Sequence, residues 1–446
     1  MTAPADVALE AALEEVTRTP ADAFRGVPLP ETFDARRLFS GSAAREIVAS
    51  YERPHLGVAL IGVGEAGRMA LERGAGIEDA RSGAAVLLGA PLTSGPNELR
   101  PRLLGGFAFD GEGERHAPWE DYGSGSLVLP RMLFVREGTM RGVVLAPGVS
   151  ADELATCLGG ESEEDLRATL PPRRIRGIDR DAWLAGVRSI VSQVREGAID
   201  KAVLATTQEL LAAAPFDVGR VLSKLRALYP ECHVFSIRAG NSTFLGASPE
   251  LLVSLRDGLA SALGLAGSAR RGDTPDEDER LGRGLLSSAK DRREHATTVD
   301  AIREALSGVT EQLLAPDQPQ LRRLRNIQHL ATEIAGRALP GVDVLELVRR
   351  LHPTPAVCGW PREAARRAIA AIERFDRGWY AGPVGWLDGR GEGEFAVALR
   401  SALVRLDHAW LFAGSGIMGD SVPEAELAEV QLKFRPLTEA LGGTSI

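Results

Sequence analysis

The amino-acid sequence predicts an α+β fold, a large antiparallel β-sandwich with helices packed outside it. Three observations carry this. Short apolar runs punctuated by Gly, Pro and Asp fill residues 101–150, return at 201–267 and return again at 383–417, as antiparallel strands joined by tight turns do. Helical periodicity is concentrated between those blocks, at 181–199 and across 275–376. Strands and helices therefore come in runs, without the sustained βαβ alternation of a doubly wound parallel sheet.

Composition sets outer limits. At 446 residues, 44% hydrophobic and 25% charged, the chain has material for a large core in one or two domains. A net charge of −9 without a dense Lys/Arg cluster excludes a nucleic-acid face. An anionic ligand would need cations supplied locally. Cys157, Cys232 and Cys358 are odd in number and lack metal-ligand spacing, which points to a reducing compartment. The first residues lack the charge and apolar pattern of a secretory signal, and no apolar run approaches the roughly 18 residues of a membrane span. The expectation is a soluble cytoplasmic protein.

In order along the chain, residues 1–50 combine a helical pattern at 7–16 with Pro-rich loops. VALIGVGEAGRMALERG (58–74) then sets Gly62, Gly64 and Gly67 at G-x-G-x-x-G spacing between a strand-like and a helix-like run. A dinucleotide site needs an acid after the next strand. The next strand-like run, AAVLLGAP at 84–91, ends in Gly-Ala-Pro, so a tight turn in a meander is the expected role of the glycines. LLGGFAF, SLVLPRMLFV and GVVLA follow as strands. Residues 151–185 turn from acidic to basic around Pro171 and Pro172, which reads as an exposed helix and a linker. Trp183, Val187, Ile190 and Val194 recur at helical spacing and predict a helix over 181–199. Strands at KAVLATTQELL, HVFSIRAG, STFLGASPELLVSL and GLASALGLAG precede the helix-rich 275–376, and PVGWLD, EFAVALRSALVRL and AWLFAGSGI return to strand. After a glycine-rich turn at Gly414-Ser415-Gly416, a helix is expected from near Pro423, with Asp420 and Ser421 as caps and Glu424 in its first turn.

Several residues in the second half could do chemistry. Lys201 opens a strand on which Val203 and Ala205 share its face. It is either a solvated strand-end lysine or one whose apolar neighbours desolvate it and lower its pKa toward that of a base. Glu250, after Ser248-Pro249, sits at the mouth of an apolar strand, where partial burial would raise its pKa and suit it to donate a proton. Glu294 lies near the edge of the apolar face formed by Val299, Ile302 and Leu306. Arg400 interrupts an apolar run, and a buried guanidinium demands an anion. On the last helix Leu427, Val430 and Phe434 form one stripe and Glu426, Glu429 and Lys433 another. Glu429 and Lys433 are either an i,i+4 surface pair or holders of a metal and an anion. Two acids from different helices suit Mg²⁺, which takes one or two protein carboxylates beside water and substrate oxygens. Zinc-ligand spacings, G-x-S-x-G and the P-loop are absent.

Nine segments in order, KAVLA, FLGASPELL, LAGSARRG, SSAKDRREH, QHLATEI, LHPTPAVCG, YAGPVGW, GEFAVALRSALV and AGSGIMGDSVPEAELAEVQLKF, resemble the chorismate-utilising enzymes, and LLGGFAFD does so more loosely. The resemblance implies a single continuous domain, with 1–175 as its β-rich N-terminal part and 176–446 as the chorismate-binding catalytic region. It implies that Glu294 and Glu429 bind Mg²⁺, that Arg400 and Lys433 bind substrate carboxylates, and that Gly267 and Gly414 allow close backbone approach. Ala356, Val357 and Tyr380 would line the ring pocket, Lys201 would activate water, and Glu250 would be the general acid. Anthranilate synthases resemble this pattern with glutamine where Lys201 stands, and one aminodeoxychorismate synthase type has lysine where this chain has Ala266. A lysine base without a lysine nucleophile implies an isochorismate synthase, in which water attacks C2 and the C4 hydroxyl leaves. Salicylate synthases share Lys201 and Glu250, but RGWYAGPVGWLD and EVQLKFRPLTEAL look most like isochorismate synthases. Menaquinone biosynthesis is the expected pathway, with siderophore or salicylate synthesis as the alternative. A monomer without a glutamine amidotransferase subunit is expected. Thr206 departs from the pattern, since relatives often carry arginine there.

Overall fold

The computed structural model describes residues 12–14, 16–17, 22–39, 42–113, 115–159 and 173–443. Its organising feature is one long hydrogen-bonded ladder. From Lys201–Ala212 it passes through His408–Ile417, Ser401–Arg405, Ser242–Ser248 and His233–Ala239, every neighbouring pair antiparallel. It continues through Ile47–Arg53, Val58–Leu71, Gly125–Glu137 and Arg102–Phe107. Pro383–Asp388, Gly393–Val397, Leu251–Arg256, Leu259–Arg270 and Ile327–Ala338 complete it. Strands from the first third of the chain thus sit in the middle of the ladder, between strands from the last two thirds.

The α+β expectation holds: the sheet is antiparallel apart from a short parallel pairing of Phe24–Pro28 with Leu92–Ser94, and helices pack around it. Strands such as Pro383–Asp388 and Gly393–Val397 are buried at every residue, which explains why they read as continuous apolar runs instead of alternating ones. Among the described residues no helix is long and apolar enough to cross a membrane. Cys157, Cys232 and Cys358 are buried free thiols.

Several expectations are corrected. Residues 84–91 are not a strand. A helix runs Ile77–Leu87, opened by the Asp79 carboxylate accepting from the Gly76 amide at 2.8 Å and burying Ala80 and Ala84 one turn apart. Two small alanines gave little apolar periodicity, so the run Val86-Leu87-Leu88 dominated the reading. Gly62, Gly64 and Gly67 form neither a nucleotide loop nor a meander turn. They lie inside the single strand Val58–Leu71, at an irregularity where pairing with Gly125–Glu137 shifts between Glu65 and Gly67 and Gly64 takes φ 64°.

The region 275–376 contains helices Pro275–Ser287, Ala289–Ser307, Val344–Leu351 and Arg362–Ile372. Strands Thr310–Leu314, Gln320–Arg323 and Ile327–Ala338 interrupt it, their period masked by charged residues on the exposed face. The expected 181–199 helix is Arg180–Arg195. The helix after 151 is Ala151–Leu158, whereas Pro171, Pro172 and most of the 7–16 pattern lie outside the described residues. Gly414-Ser415-Gly416 is not a turn but part of the strand His408–Ile417, paired with Ala205, Leu204 and Val203. The final helix, Pro423–Ala440, starts with proline at its first position, but Val422 precedes it and no side chain caps it. Ser421 instead accepts from the Met418 amide at 3.0 Å and shapes the preceding turn.

Candidate active site

The two ends of the ladder face each other across a cavity of about 110 Å³. Val203 lines it from the first strand, and Gly267 and His329 line it from the last two. The helices Ala289–Ser307 and Pro423–Ala440 add Glu294, Glu429 and Lys433. Of the eleven residues singled out in the sequence, ten line this cavity: Glu250, Gly267, Glu294, Ala356, Val357, Tyr380, Arg400, Gly414, Glu429 and Lys433.

Lys201 is the exception. It is the first residue of its strand, 1% exposed, and its Nζ donates to Glu294 Oε1 at 2.7 Å from behind the cavity wall. The space between them is kept by Gly416, where a Cβ would fall 2.7 Å from Lys201 Cε and 2.9 Å from Glu294 Oε1. The reading of Lys201 as a solvated strand-end side chain is therefore wrong, because the strand begins inside the fold.

Glu250 is buried between Ser242–Ser248 and Leu251–Arg256, its carbonyl held by the Val397 amide at 3.0 Å. Burial pushes its carboxyl up to about 8, against the opposing pull of Lys201 and Lys433, so it is protonated at neutral pH. Arg400 lies in the connection between Gly393–Val397 and Ser401–Arg405, at φ 48°. Burial lowers its pKa, and among the described residues no carboxylate forms an ion pair with its guanidinium. A buried cation without a protein partner is prepared for an anionic ligand. Lys433 bridges Glu429 Oε1 at 2.7 Å and the Gly414 carbonyl at 2.8 Å, which ties the last helix to the adjacent strand. Tyr380 stacks on Phe412 with ring centroids 5.5 Å apart, forming an aromatic wall.

Gly267 takes φ 76° where pairing with Ile327–Ala338 shifts, and a Cβ there would stand 3.2 Å from Asp291. Its carbonyl and the Ser268 hydroxyl lie 3.3 and 3.0 Å from His329 Nδ1. A carbonyl can only accept, which favours the Nδ1–H tautomer and leaves His329 Nε2, which has no hydrogen-bond partner among the described residues, as an acceptor. Burial, then Arg400 and Lys433, push this imidazole down to about 3, so it stays neutral. His329 and Asp291 were missed in the sequence. Asp291 precedes Glu294 by one helical turn, a spacing that could have revealed it. A single histidine in an apolar strand carries no such signal.

Asp291, Glu294, Glu426 and Glu429 make an all-oxygen donor set. Burial raises the Asp291 and Glu426 carboxyls, and neighbouring carboxylates raise them further. For Glu429 the upward push of burial is outweighed by Lys433, which holds it below the ordinary range. Glu426 accepts from Ser415 Oγ at 2.6 Å, with Lys290 Nζ 3.7 Å from its other oxygen. Among the described residues no three acids, histidines or cysteines form a closed metal cage. Mg²⁺ needs none, since one or two carboxylates suffice beside water and substrate oxygens, and crowded carboxylates fit a hard cation. The cavity thus combines a protonated acid, cations for carboxylates and oxygen donors that could hold a metal, with the buried Lys201 bonded to one of its lining carboxylates from behind the wall.

Comparison with known proteins adds to this geometry. Residues 31–442 match the family model described as chorismate binding enzyme. A Pseudomonas aeruginosa protein named salicylate biosynthesis isochorismate synthase is 44% identical over 363 residues, 78% of this chain and 76% of that one. A Bacillus subtilis protein named isochorismate synthase MenF is 35% identical over 356 residues, 77% of this chain and 75% of its own. Among solved structures, the menaquinone-specific isochorismate synthase MenF of Escherichia coli superposes with a TM-score of 0.80 at 28% identity, covering 98% of this chain and 99% of that one.

Proposed function

The chain belongs to the chorismate-binding enzyme family, and from that premise we propose that it is a Mg²⁺-dependent isochorismate synthase, an isomerase that converts chorismate to isochorismate. One observation carries the chemistry. A carboxylic acid that is protonated at neutral pH, Glu250, lines the cavity, the buried Lys201 reaches the lining carboxylate of Glu294 from behind the wall, and Ala266 rather than lysine stands beside Gly267.

In this reading Arg400 and Lys433 bind the substrate carboxylates, and Tyr380, Ala356 and Val357 hold the ring. Lys201 acts as the base that takes a proton from water as that oxygen bonds to C2. The ring double bonds shift, the C4–O bond breaks, and Glu250 gives its proton to the departing hydroxyl, which leaves as water. Lys201 ends protonated and Glu250 ionised, and proton exchange with solvent resets both. Glu294 and Glu429 would hold Mg²⁺, whose chemistry there is to neutralise and orient a carboxylate. Water as nucleophile requires no ammonia, so no glutamine amidotransferase subunit is needed, and we assign the enzyme as a cytoplasmic monomer.

The expected pathway, menaquinone synthesis, draws support from the relatives named MenF. The more similar Pseudomonas aeruginosa protein is named for salicylate biosynthesis, which favours a second destination for the same product. Incubation of purified protein with chorismate and Mg²⁺, followed by mass analysis, tests the proposal. Isochorismate as product is expected. Salicylate with pyruvate would make the chain a salicylate synthase, and no turnover would leave a chorismate-binding relative.

A further inference from the structure

Outside the groups that touch the cavity, one buried ion pair makes every one of its remaining bonds to the backbone around the cavity wall. Glu373, just after the helix Arg362–Ile372, and Arg377, one turn beyond, both have side chains 4% exposed. Arg377 Nε donates to Glu373 Oε2 at 2.8 Å, and one terminal nitrogen donates to Glu373 Oε1 at 2.6 Å. That same nitrogen reaches the Val203 carbonyl at 2.7 Å, and the other reaches the Val357 carbonyl at 2.9 Å. Glu373 Oε1 also accepts from the Ala205 amide at 2.7 Å. The guanidinium lies over the Phe109 ring, 4.3 Å from its centroid. Val203 and Val357 both line the cavity, one from the first strand and one from the connection between Val344–Leu351 and Gly359–Trp360. The main-chain carbonyl of Arg377 accepts from the Tyr380 amide at 2.9 Å, so the backbone that carries the guanidinium also leads directly to a third lining residue.

We propose that Arg377, held by Glu373, is a positioning residue that sets the spacing between the Val203 and Val357 walls of the ring pocket. The inference rests on the reading of that pocket as the chorismate site. A flat guanidinium with its donors in fixed directions can satisfy a carboxylate and two carbonyls at once, whereas a lysine ammonium cannot reproduce that fork. Both proton-transfer groups have side-chain or backbone anchors besides this clamp, although Lys201 stands only two residues before Val203 on the clamped strand. Lys201 is held by Glu294 and by strand pairing to Gly359–Trp360, and Glu250 is held by the Val397 amide. Loosening the clamp therefore moves the walls that grip the ring more than the groups that move protons, which separates KM from kcat.

The test compares Arg377→Lys and Glu373→Gln with Arg226→Lys. Arg226 forms a comparably buried pair with Glu52 and stacks on Phe39, away from the cavity. Steady-state kinetics, normalised to folded protein by calorimetric titration of active sites, should show KM for chorismate raised about tenfold in Arg377→Lys and Glu373→Gln, with kcat within about threefold of wild type. Arg226→Lys should lower the melting temperature while leaving KM as in wild type. An unchanged KM in both clamp variants overturns the proposal, as does an equal rise in KM in Arg226→Lys, which would mark a general effect of weakened folding. If Arg377→Lys does not fold, Glu373→Gln decides alone. Wild-type product analysis stands apart from this comparison, so a wrong reading of the reaction and a wrong reading of the clamp give different results.

Discussion

Lys201 Nζ and Glu294 Oε1 stand 2.7 Å apart, so the lysine assigned as base touches a carboxylate assigned to the metal. A second lysine repeats the arrangement, Lys433 on Glu429 at the same distance. In the proposed site, metal binding and cation placement would therefore be linked through shared carboxylates at both corners.

That linkage predicts different outcomes for two conservative changes. Glu429→Gln should raise the Mg²⁺ concentration for half-maximal activity by about tenfold or more, because a ligand is lost. Glu294→Gln should do the same and also lower kcat at saturating Mg²⁺, since it removes the partner of Lys201. Metal titrations of initial rate, with direct Mg²⁺ calorimetry on both variants, check this. An unchanged titration for Glu429→Gln would count against its role as ligand.

Lys201→Ala and Glu250→Gln should each reduce kcat by about 10²–10⁴-fold while chorismate still binds, measured by calorimetry. Retained turnover in Lys201→Ala would remove lysine from the base role.

The raised Glu250 carboxyl has a pH signature of known sign. A carboxyl shifted up to about 8 holds a proton in the folded chain that the unfolded chain has already released. Its contribution favours folding at low pH and is progressively lost as pH rises from near 4.5 to about 8. Glu250→Gln should therefore match wild type in stability near pH 4.5 and exceed it at pH 9, as read by denaturant melts. The kcat profile of wild type should fall on a basic limb near pH 8.

Arg400→Met should cost the enzyme its substrate and still make the fold more stable. It removes a buried cation with which no carboxylate among the described residues forms an ion pair, a group costly to bury without its ligand. KM should rise by about 10²-fold, as for loss of a charge-assisted bidentate contact, while the melting temperature rises. A lower melting temperature would show that the guanidinium is satisfied within the protein.

The α+β class and the strand blocks were legible because buried strands and turn residues leave strong local marks. Arg400 was legible as an anomaly, a charge set in an apolar run, whereas Lys201 and Glu250 left ordinary surface readings open until the family resemblance singled them out. The helix Ile77–Leu87 was not, because two alanines on its buried side leave almost no apolar period for a reader to find. Gly416 was misread as part of a turn, since its need arises from Glu294, more than a hundred residues earlier, crossing its face beside Lys201. His329 was invisible for the same reason: its unsatisfied nitrogen has meaning only once the two ends of the sheet meet.

The order of pairing in the ladder also sets a timetable for synthesis. Ile47–Arg53 bonds on one side to Val58–Leu71, its near neighbour, but on the other to His233–Ala239, about 180 residues later. At roughly 5–20 residues per second that second partner leaves the ribosome about ten to forty seconds afterwards. Through that interval the nascent chain presents an open, apolar strand edge, the kind of surface that invites pairing with other chains. Growth temperature and translation speed should therefore govern soluble yield more strongly than any substitution around the cavity.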